Sequence, residues 1–421
     1  MTLAARLGSA NTYDIAVRNI MTRQSNLSGL QENLTSGKKV VRASDDPTGA
    51  ALAERAIMRL ARIETDQRAL ASQRSAIIQA ESTLGDVTDA LQNFRELVVS
   101  AGNAAHTTIE HKGIADQLTG LRNQILTLAN RKDTNGLPLF SALGSALQPF
   151  VGPQTPLAQD YTFRGLPGQT ASTDVAIPFA LDGERAFMMK PERDGAYNVT
   201  ITNVAAPAHG IGTSGVQLVN SALASSTSAY TITITGVDTT TTLGTTSVSY
   251  QIDELDALTK TPIGSFAGTN SYPTGKAGNV AVTEIPGLAL SITGAPAVGD
   301  VLTLDPRPSI FSVLDDAIRD IGNAPNGNAV SQAVGQALNN IDIGMSRISA
   351  IRGQAGDLLN RADRISANQD RRSIEVEGDR SRAEDLDMTK GISDFQNQQT
   401  GYQAALQSYA QVQKLSLFNF L

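Results

Sequence analysis

The fold of this chain is decided by residues 44–103, SDDPTGAALAERAIMRLARIETDQRALASQRSAIIQAESTLGDVTDALQNFRELVVSAGN. An apolar residue recurs at every seventh position, through Ala56, Ile63, Leu70, Ile77, Leu84, Leu91 and Val98. A repeat of about 3.5 residues keeps one edge of a helix facing a neighbouring helix. The stretch therefore predicts one long helix with a narrow apolar seam. Leu60 is an apolar partner of the seam, but the later partner positions are polar: Gln67, Arg74, Glu81, Thr88 and Arg95.

The boundaries of this helix are marked on both sides. Ser44, Asp45 and Asp46 offer side-chain oxygens that can cap the first turn, and Pro47 suits a first helical position because it has no N–H to satisfy there. Asn103, directly after Gly102, supplies the stop. Adjacent carboxylates could instead suggest a metal or acid–base pair, but capping is the prediction at such a position.

Two further helical patterns can complete a bundle. A shorter helix with apolar spacings of 4 and 3 is predicted through Ile114, Leu118, Leu121, Ile125 and Leu128, ending at residues 135–138, so that an antiparallel hairpin forms. A third helix is predicted through Val334, Leu338, Ile341, Met345 and Ile348. Its continuation, residues 361–382, is rich in charge and is predicted to be a helix with solvated faces.

The two chain ends carry apolar stripes that are candidate subunit contacts. The N-terminal stripe comprises Tyr13, Val17, Ile20, Leu27 and Leu34, and the C-terminal stripe comprises Met388, Ile392, Phe395, Tyr402, Leu406 and Tyr409. Glutamines occupy seam positions in both, namely Gln24, Gln31, Gln399 and Gln413. Isolated helices of this length are marginal in water. We therefore expect the terminal helices to order fully only on assembly, with all of these stripe residues except Met388 forming the interface.

The middle of the chain has a different composition. Fifteen of the 16 prolines lie between Pro138 and Pro325. Proline breaks helices, whereas Thr and Val favour strands. Short strands are predicted at residues 197–204, 230–237, 247–252, 288–293 and 301–304.

Fold class and domain organisation follow from these patterns. We predict an α+β protein with long terminal coiled-coil helices, a helical rod bundle and an inserted β-rich outer domain. The predicted domains are an N-terminal assembly helix (1–45), the N-terminal half of the rod with its hairpin (46–165), the β-rich domain (166–308), the C-terminal half of the rod (309–383) and a C-terminal assembly helix (384–421).

Composition excludes several functional classes. The 421-residue chain has no Cys and no Trp, and its net charge is -7. There can be no disulfide or thiolate metal site, and nucleic-acid binding is not expected. No apolar run approaches the roughly 20 residues that span a membrane, and residues 1–10 do not resemble a cleaved secretory signal.

Sites for catalysis, metals or cofactors are not expected either. The five-residue spacing of His106 and His111 misses the four-residue helical metal spacing, so surface histidines are predicted, and His209 is isolated. No nucleophile is paired with a base, and no glycine-rich loop precedes a helix as phosphate binding requires. The sequence therefore predicts no enzyme and no cofactor.

Residues 34–47, LTSGKKVVRASDDP, followed by a long helix, resemble the flagellin family. Residues 95–103, 133–140 and 415–421 support the resemblance, which covers roughly residues 1–165 and 310–421. Filament flagellin typically has Asp-Asp-Ala-Ala-Gly where this chain has Asp-Asp-Pro-Thr-Gly at 45–49. That difference, together with the Asn-Gly step at 135–136, the Phe-rich C-terminus and residues 160–165 and 187–189, is more similar to the hook-associated branch. Residues 8–11 depart from the Ser-Thr pair expected after Arg6.

The resemblance implies a specific biology. Members are exported unfolded by the flagellar type III apparatus without signal cleavage and assemble through their terminal helices. A hook-associated member would form a ring outside the cell that joins hook to filament, contacting a neighbouring hook-associated protein and flagellin. The resemblance also implies an export chaperone at the C-terminal helix, with residues 388–421 as the candidate. The alternatives are a filament flagellin and, from outside the family, a secreted adhesin that binds through the β domain.

Overall fold

A computed structural model describes residues 3–153, 160–202, 210–276 and 278–418, with side chains described between residues 13 and 411 of these ranges. The predicted α+β class is confirmed. The chain forms two compact units: Met1–Arg68 with Ile365–Leu421, and Ala69–Arg364. We call these the terminal unit and the central unit. His209 and the last residues of the predicted strand 197–204 lie outside the described residues.

The described helices account for both chain ends. They are α1 (Leu3–Ser36), α2 (Pro47–Ala101), α3 (Thr108–Ala129), α4 (Gly183–Phe187), α5 (Pro191–Asp194), α6 (Ile310–Gly322), α7 (Gly327–Glu384) and α8 (Met388–Phe418). Helices α2 and α7 contribute residues to both units.

At the start of α2, the residues predicted as caps accept hydrogen bonds from different parts of the chain. Asp46 accepts hydrogen bonds from the Thr48 N–H at 3.0 Å and from the Thr48 hydroxyl at 2.7 Å. The hydroxyl bond is the main reason that the pKa of Asp46 is lowered. Asp45 instead accepts from the N–H groups of Val41 and Arg42, which closes the preceding turn. Asp46 is therefore the residue whose carboxylate bonds the first turn of the helix.

The buried face of α2 within the central unit is wider than the narrow seam that the heptads predict. Leu70, Ile77, Leu84, Leu91 and Val98 are buried as expected. Six further apolar residues off that line are also buried: Ala76, Ala80, Val87, Ala90, Phe94 and Ala101. Arg95 on α2 forms an ion pair with Asp342 on α7. Asp86 on α2 forms another with Arg131, which lies just beyond α3. Neighbours on more than one side explain the wider face.

The polar partner positions of the heptads form a ladder between α2 and α7. In the central unit, three rungs run from Arg74 to Asp363 at 3.1 Å, from Glu81 to Arg352 at 2.7 Å, and from Arg95 to Asp342 at 3.0 Å. In the terminal unit, Gln67 donates to Asp370 at 2.9 Å. Residue numbers rise along α2 as they fall along α7, so the two helices are antiparallel.

Helix α3 has a start signal that the sequence reading missed and ends earlier than predicted. Thr107 and Glu110 form a reciprocal capping box at its first turn. The helix ends at Ala129 because the Asn130 side chain exchanges hydrogen bonds with the backbone of Phe150. The predicted stop at residues 135–138 is instead a turn closed by Asp133, which accepts from the N–H groups of Asn135 and Leu137.

Helix α6 was not predicted, and it packs on α3 around buried charges. Ser309 caps it by accepting from the Ser312 N–H. Asp315 lies 3.0 Å from Arg122 Nε on α3 and accepts a 2.7 Å hydrogen bond from the Tyr161 hydroxyl. Burial raises the pKa of Asp315 above its usual value. Burial also raises the pKa of Tyr161, and the hydrogen bond to Asp315 raises it more. The signal that could have revealed α6 is Ser309 followed by apolar residues at helical spacing.

Eleven strands of the described residues form the β structure. They are β1 (Phe150–Val151), β2 (Thr162–Phe163), β3 (Tyr197–Thr202), β4 (Ile211–Thr213), β5 (Gln217–Leu218), β6 (Ser228–Asp238), β7 (Thr245–Asp256), β8 (Pro262–Pro273), β9 (Gly278–Val282), β10 (Leu288–Gly294) and β11 (Val301–Pro306). One sheet has the order β3-β11-β6-β7-β8 and another has β4-β10-β5, with β9 also paired to β10; all pairings are antiparallel.

The inner faces of these two sheets share one apolar core. Ile232 and Ile252 from the first sheet and Val280 and Ile292 from the second are all fully buried within it. The alternation predicted for residues 230–237 places Tyr230, Ile232 and Ile234 inward. Strand β8 was missed because its glycines and two prolines weaken a strand pattern. Gly268 is needed there, since a side chain would collide with the Tyr250 ring.

Leu84→Asp tests the packing of α2. Leu84 is fully buried, so an unpaired carboxylate there should lower the free energy of unfolding by several kcal/mol, on the order of 3. Ser82→Asp places the same group at an exposed position of the same helix and should change stability little. Chemical denaturation followed by circular dichroism compares them. Equal midpoints for the two variants would contradict the assignment of Leu84 to the core.

Candidate assembly interface

The terminal helices α1 and α8 pair with each other. The rings of Tyr13 and Tyr409 lie 5.5 Å apart between centroids at the far end of the pair. At the near end, a Cβ on Gly391 would lie 3.2 Å from Leu34 Cδ2 and 2.9 Å from Leu386 Cδ2. Low numbers in α1 therefore match high numbers in α8, and the pair is antiparallel. Gly391 leaves space for the Leu34 and Leu386 side chains to pack against α8.

The segment that follows α1 anchors the near end of the pair. Gly37 adopts a positive φ of 71°, and its carbonyl accepts the Leu386 N–H at 2.9 Å. The Lys39 N–H donates to the Glu384 carbonyl at 2.8 Å, while the Lys38 ammonium pairs with the Glu384 carboxylate. The stretch 34–47 noted in the sequence is thus a connector docked where α7 ends and α8 begins.

Gly49, in the first turn of α2, lies where α2 contacts the connector, and there is no room for a side chain at this position. A Cβ on Gly49 would lie 2.5 Å from Asp46 Oδ2 and 3.3 Å from the Ala383 carbonyl. Arg42 Nη2 pairs with Glu32 Oε1 at 2.6 Å, which ties the connector back to α1. The exposed ion pair contributes little energy by itself. The position of the connector is therefore set mainly by its backbone contacts and by the close approach at Gly49.

The structure separates the ten predicted interface residues into two groups. Seven are half-buried, consistent with packing within the α1–α8 pair: Val17, Ile20, Leu27, Leu34, Phe395, Tyr402 and Tyr409. The other three are exposed: Tyr13 at 48%, Ile392 at 47% and Leu406 at 40%. Three more exposed apolar side chains were not in the predicted interface, namely Ile15, Met21 and Met388. Apolar surface therefore remains uncovered after the two helices have paired.

The glutamines that were predicted at seam positions of the two stripes do not lie in the contact between α1 and α8. Gln24, Gln31 and Gln399 are exposed, and the side chain of Gln413 lies outside the described part of the chain. Gln398, one position earlier, lines an open groove of about 730 Å³ between α1 and α8, opposite Ile20. In α8, Gln398 rather than Gln399 therefore faces the groove beside α1.

The electrostatics of the pair are mild. A hydrogen bond with Tyr13 raises the pKa of Tyr409 above its usual value. Among the described residues, no cluster of His, Asp and Glu side chains is arranged to hold a metal ion. None of the described helices is apolar over a length that could cross a bilayer. The chemistry of this surface is thus that of packing.

One histidine differs from its prediction. His111 was expected on the surface, but it is 8% exposed, and its Nε2 lies 3.2 Å from the Ala101 carbonyl oxygen at the end of α2. His106 is partly exposed and packs edge-on against it, with ring centroids 5.9 Å apart. His111 therefore packs in the α2–α3 corner, where a carbonyl partner satisfies its ring.

Family comparisons match both ends of the chain. Residues 9–144 match the bacterial flagellin N-terminal helical region, and residues 338–421 match the bacterial flagellin C-terminal helical region. Together these matches cover just over half of the chain, and they contain most of α1, most of α7 and all of α8. The chain belongs to the flagellin family.

Relatives of this flagellin-family chain include hook-associated proteins and flagellins. Flagellar hook-associated protein 3 of Escherichia coli K12 is 32% identical over 149 residues, which are 34% of this chain and 46% of that protein. A flagellin of Serratia marcescens is 29% identical over 139 residues, 33% of this chain and 40% of its own length. The chain thus matches less than half the length of these relatives.

Solved structures share the fold. Hook-associated protein 3 from Legionella pneumophila aligns with a TM-score of 0.59 and 22% identity, covering 77% of this chain and 97% of that one. FlgL from Xanthomonas campestris aligns with a TM-score of 0.53 and 21% identity, covering 72% and 94%. At this level of identity the likeness establishes the α+β architecture and nothing finer.

Gly391→Val tests the close approach of α8 to Leu34. The added methyl groups would collide with the Leu34 and Leu386 side chains and push them aside, so the α1–α8 pair should loosen, and limited proteolysis should cleave within both terminal helices faster than in the unmodified chain. Gly29→Ala is the control, because its Cβ would meet nothing within 4 Å and alanine favours a helix by up to about 1 kcal/mol. Unchanged cleavage in Gly391→Val would refute the pairing.

Proposed function

We propose that this protein is a structural subunit of the bacterial flagellum that joins the hook to the filament. The observation that carries the proposal is the α1–α8 pair, built from the family's two terminal helical regions, which leaves apolar side chains exposed on both helices. Exposed apolar surface of this kind is typical of a subunit that is completed by its neighbours. In this proposal the protein is not an enzyme.

The interface of the assembled subunit is proposed to use the ten stripe residues in two ways. The half-buried residues, such as Leu27 and Tyr402, hold α1 against α8. The exposed residues Tyr13, Ile392 and Leu406 contact neighbouring subunits. Each helix by itself is marginal in water, and two paired helices still expose much of their apolar surface. Neighbouring subunits in a ring supply the missing cover.

A junction role is favoured over a filament role by the relatives. The hook-associated protein 3 sequences of E. coli and Salmonella typhimurium match at 32% and 31% identity, and the solved neighbours include a flagellar junction protein from Legionella. A filament flagellin is the second candidate, because flagellins of Serratia and Bacillus subtilis also match. Asp46-Pro47 at the start of α2 fits the hook-associated form noted in the sequence.

The partners follow from this role. The subunit assembles with copies of itself into a ring, with a neighbouring hook-associated protein on one side and flagellin on the other. It reaches the outside of the cell through the flagellar type III apparatus, without signal cleavage. An export chaperone is proposed to bind residues 388–421, where Met388, Ile392 and Leu406 are exposed in the unassembled subunit.

A strain lacking this chain tests the junction role. We expect electron microscopy to show hooks without filaments, with monomeric flagellin released into the medium, because filament subunits would have no platform. Restoring the gene should restore filaments. Filaments of normal number and length in the deletion strain would exclude the junction role, and an absence of filament protein both on the cell and in the medium would favour the flagellin alternative.

Leu406→Asp separates folding from assembly. Leu406 is 40% exposed in the unassembled chain, so a carboxylate there should leave thermal unfolding nearly unchanged. In the assembled flagellum it would be buried without a partner, so incorporation should fail and motility should be lost. Gln403→Asp, also exposed on α8, is the control and should be tolerated. Normal motility with Leu406→Asp would remove this residue from the interface.

A further inference from the structure

A pocket in the central unit is lined by an excess of positive side chains. It lies between the short helices α4 and α5 and one face of α7, and its volume is about 550 Å³. Three arginines line it, namely Arg185 on α4, Arg193 on α5 and Arg347 on α7. All three belong to the central unit. A pocket with this lining, on a chain whose net charge is -7, calls for a physical explanation.

Two carboxylates neutralise only part of the positive charge around this pocket. The Asp194 carboxylate accepts from Arg193 Nη2 at 2.9 Å and from Arg347 Nη1 at 2.8 Å, so two guanidinium groups share it. It also accepts the backbone N–H of Lys190 at 2.8 Å. Glu184 Oε1 lies 3.1 Å from the Lys190 ammonium, whereas Glu184 Oε2 is 3.9 Å from Arg193 Nη1. The Glu184 carboxylate therefore serves mainly Lys190.

Arg185 is a cation without a partner. It is exposed, and within the described part of the chain its side chain takes part in no hydrogen bond or ion pair. Its backbone carbonyl accepts a hydrogen bond from Arg347, which keeps the two residues side by side. The corner thus holds four cations, the three arginines and Lys190, against the two carboxylates of Asp194 and Glu184, which leaves a net charge of +2.

The guanidinium group of Arg347 is largely buried and incompletely satisfied. Its side chain is 15% exposed, and its Nε is buried without a hydrogen-bond partner in the described structure. Burial lowers the pKa of Arg347, and the nearby Arg193 lowers it as well, although Asp194 acts in the opposite direction. The carboxylate therefore does not fully offset the cost of burying this cation. A further negative charge in the pocket would.

The rest of the lining can accommodate a ligand larger than a bare ion. Ser346 on α7 is exposed, and no hydrogen bond among the described residues uses its hydroxyl. Ile343 and Ala350 supply an apolar wall. Asp342 would oppose an anion, but Arg95 already pairs with it at 3.0 Å. The pocket therefore combines positive charge on one side with an apolar surface on the other, an arrangement typical of small-molecule sites.

We propose that this pocket binds a phosphate or sulfate group. A phosphate monoester carries a charge of about -2 at pH 7, which matches the net charge of the corner. Guanidinium groups donate paired hydrogen bonds to such oxyanions. The available donors are the side chain of Arg185 and Nη1 of Arg193, whose 3.9 Å distance to Glu184 Oε2 is beyond hydrogen bonding. The apolar wall can hold the body of an ester. This site goes beyond the assembly role proposed above.

Isothermal titration calorimetry on the full-length chain tests the proposal with two probes, inorganic phosphate and phenyl phosphate, at constant ionic strength. We expect saturable binding of phosphate groups because the charge in the pocket is uncompensated. Tighter binding of phenyl phosphate would identify the ligand as an organic ester that uses the apolar wall, and equal binding would identify it as the free ion. The absence of saturable binding with both probes would overturn the proposal.

Arg185→Gln tests whether binding occurs in this pocket. The substitution removes charged donors from a side chain that has no partner, so the fold should be unchanged and phosphate affinity should fall about tenfold. Arg164→Gln is the matched control, because it removes the same charge from an exposed arginine of the central unit that does not line the pocket. Equal weakening in the two variants would show a general charge effect and overturn the proposal.

Ser346→Glu supplies a second arm that does not remove an arginine. The new carboxylate would lie on the pocket wall, where it competes with phosphate for the guanidinium groups, so affinity should fall about tenfold or more. Ser349→Glu adds the same charge at an exposed position of α7 that does not line the pocket, and it should leave affinity nearly unchanged. Undiminished affinity in Ser346→Glu would place the bound phosphate elsewhere and overturn the proposal.

Discussion

The antiparallel register of α2 and α7 is the constraint on which the other elements depend. The two helices come from opposite ends of the sequence, and a ladder of side chains fixes which residues face each other: Gln67 with Asp370 in the terminal unit, and Arg74 with Asp363 in the central unit. The side chains of the three charged rungs are 33–61% exposed, so each contributes at most about 1 kcal/mol. Their effect is on register, because a slip by one heptad would separate Glu81 from Arg352 and Arg95 from Asp342.

The chain enters and leaves the β sandwich through two adjacent segments that are hydrogen-bonded to each other, which we call the neck. Pro306 at the end of β11 pairs with Tyr197 at the start of β3, and the Arg307 N–H donates to the Ala196 carbonyl at 2.9 Å. One step further, the Met189 N–H donates to the Pro308 carbonyl at 2.8 Å. Since entry and exit strands are adjacent, residues between them can change without moving the helices. The neck then leads directly to Ser309, which starts α6.

The terminal pair is a surface that the folded chain leaves incompletely covered. On α8, Ile392 and Leu406 remain exposed after α1 has paired, and on α1 Tyr13 remains exposed as well. A subunit that must stay monomeric until it reaches its site, and then bind firmly, needs surfaces that are individually weak and become strong together.

The sequence by itself determined the long helices and the class of the fold. Heptads from Ala56 to Val98, cap residues before Pro47 and the confinement of prolines to the middle depend on local geometry, so periodicity and propensity were enough to predict them. The stripes on α1 and α8 were visible for the same reason, although which of their residues face the partner helix was not. Only the tertiary structure decided that Ile392 and Leu406 point outward, that α6 forms around the buried Asp315, and that His111 is buried at Ala101. Those outcomes depend on contacts between residues far apart in the chain, and a pattern read along one segment carries no record of what packs against it.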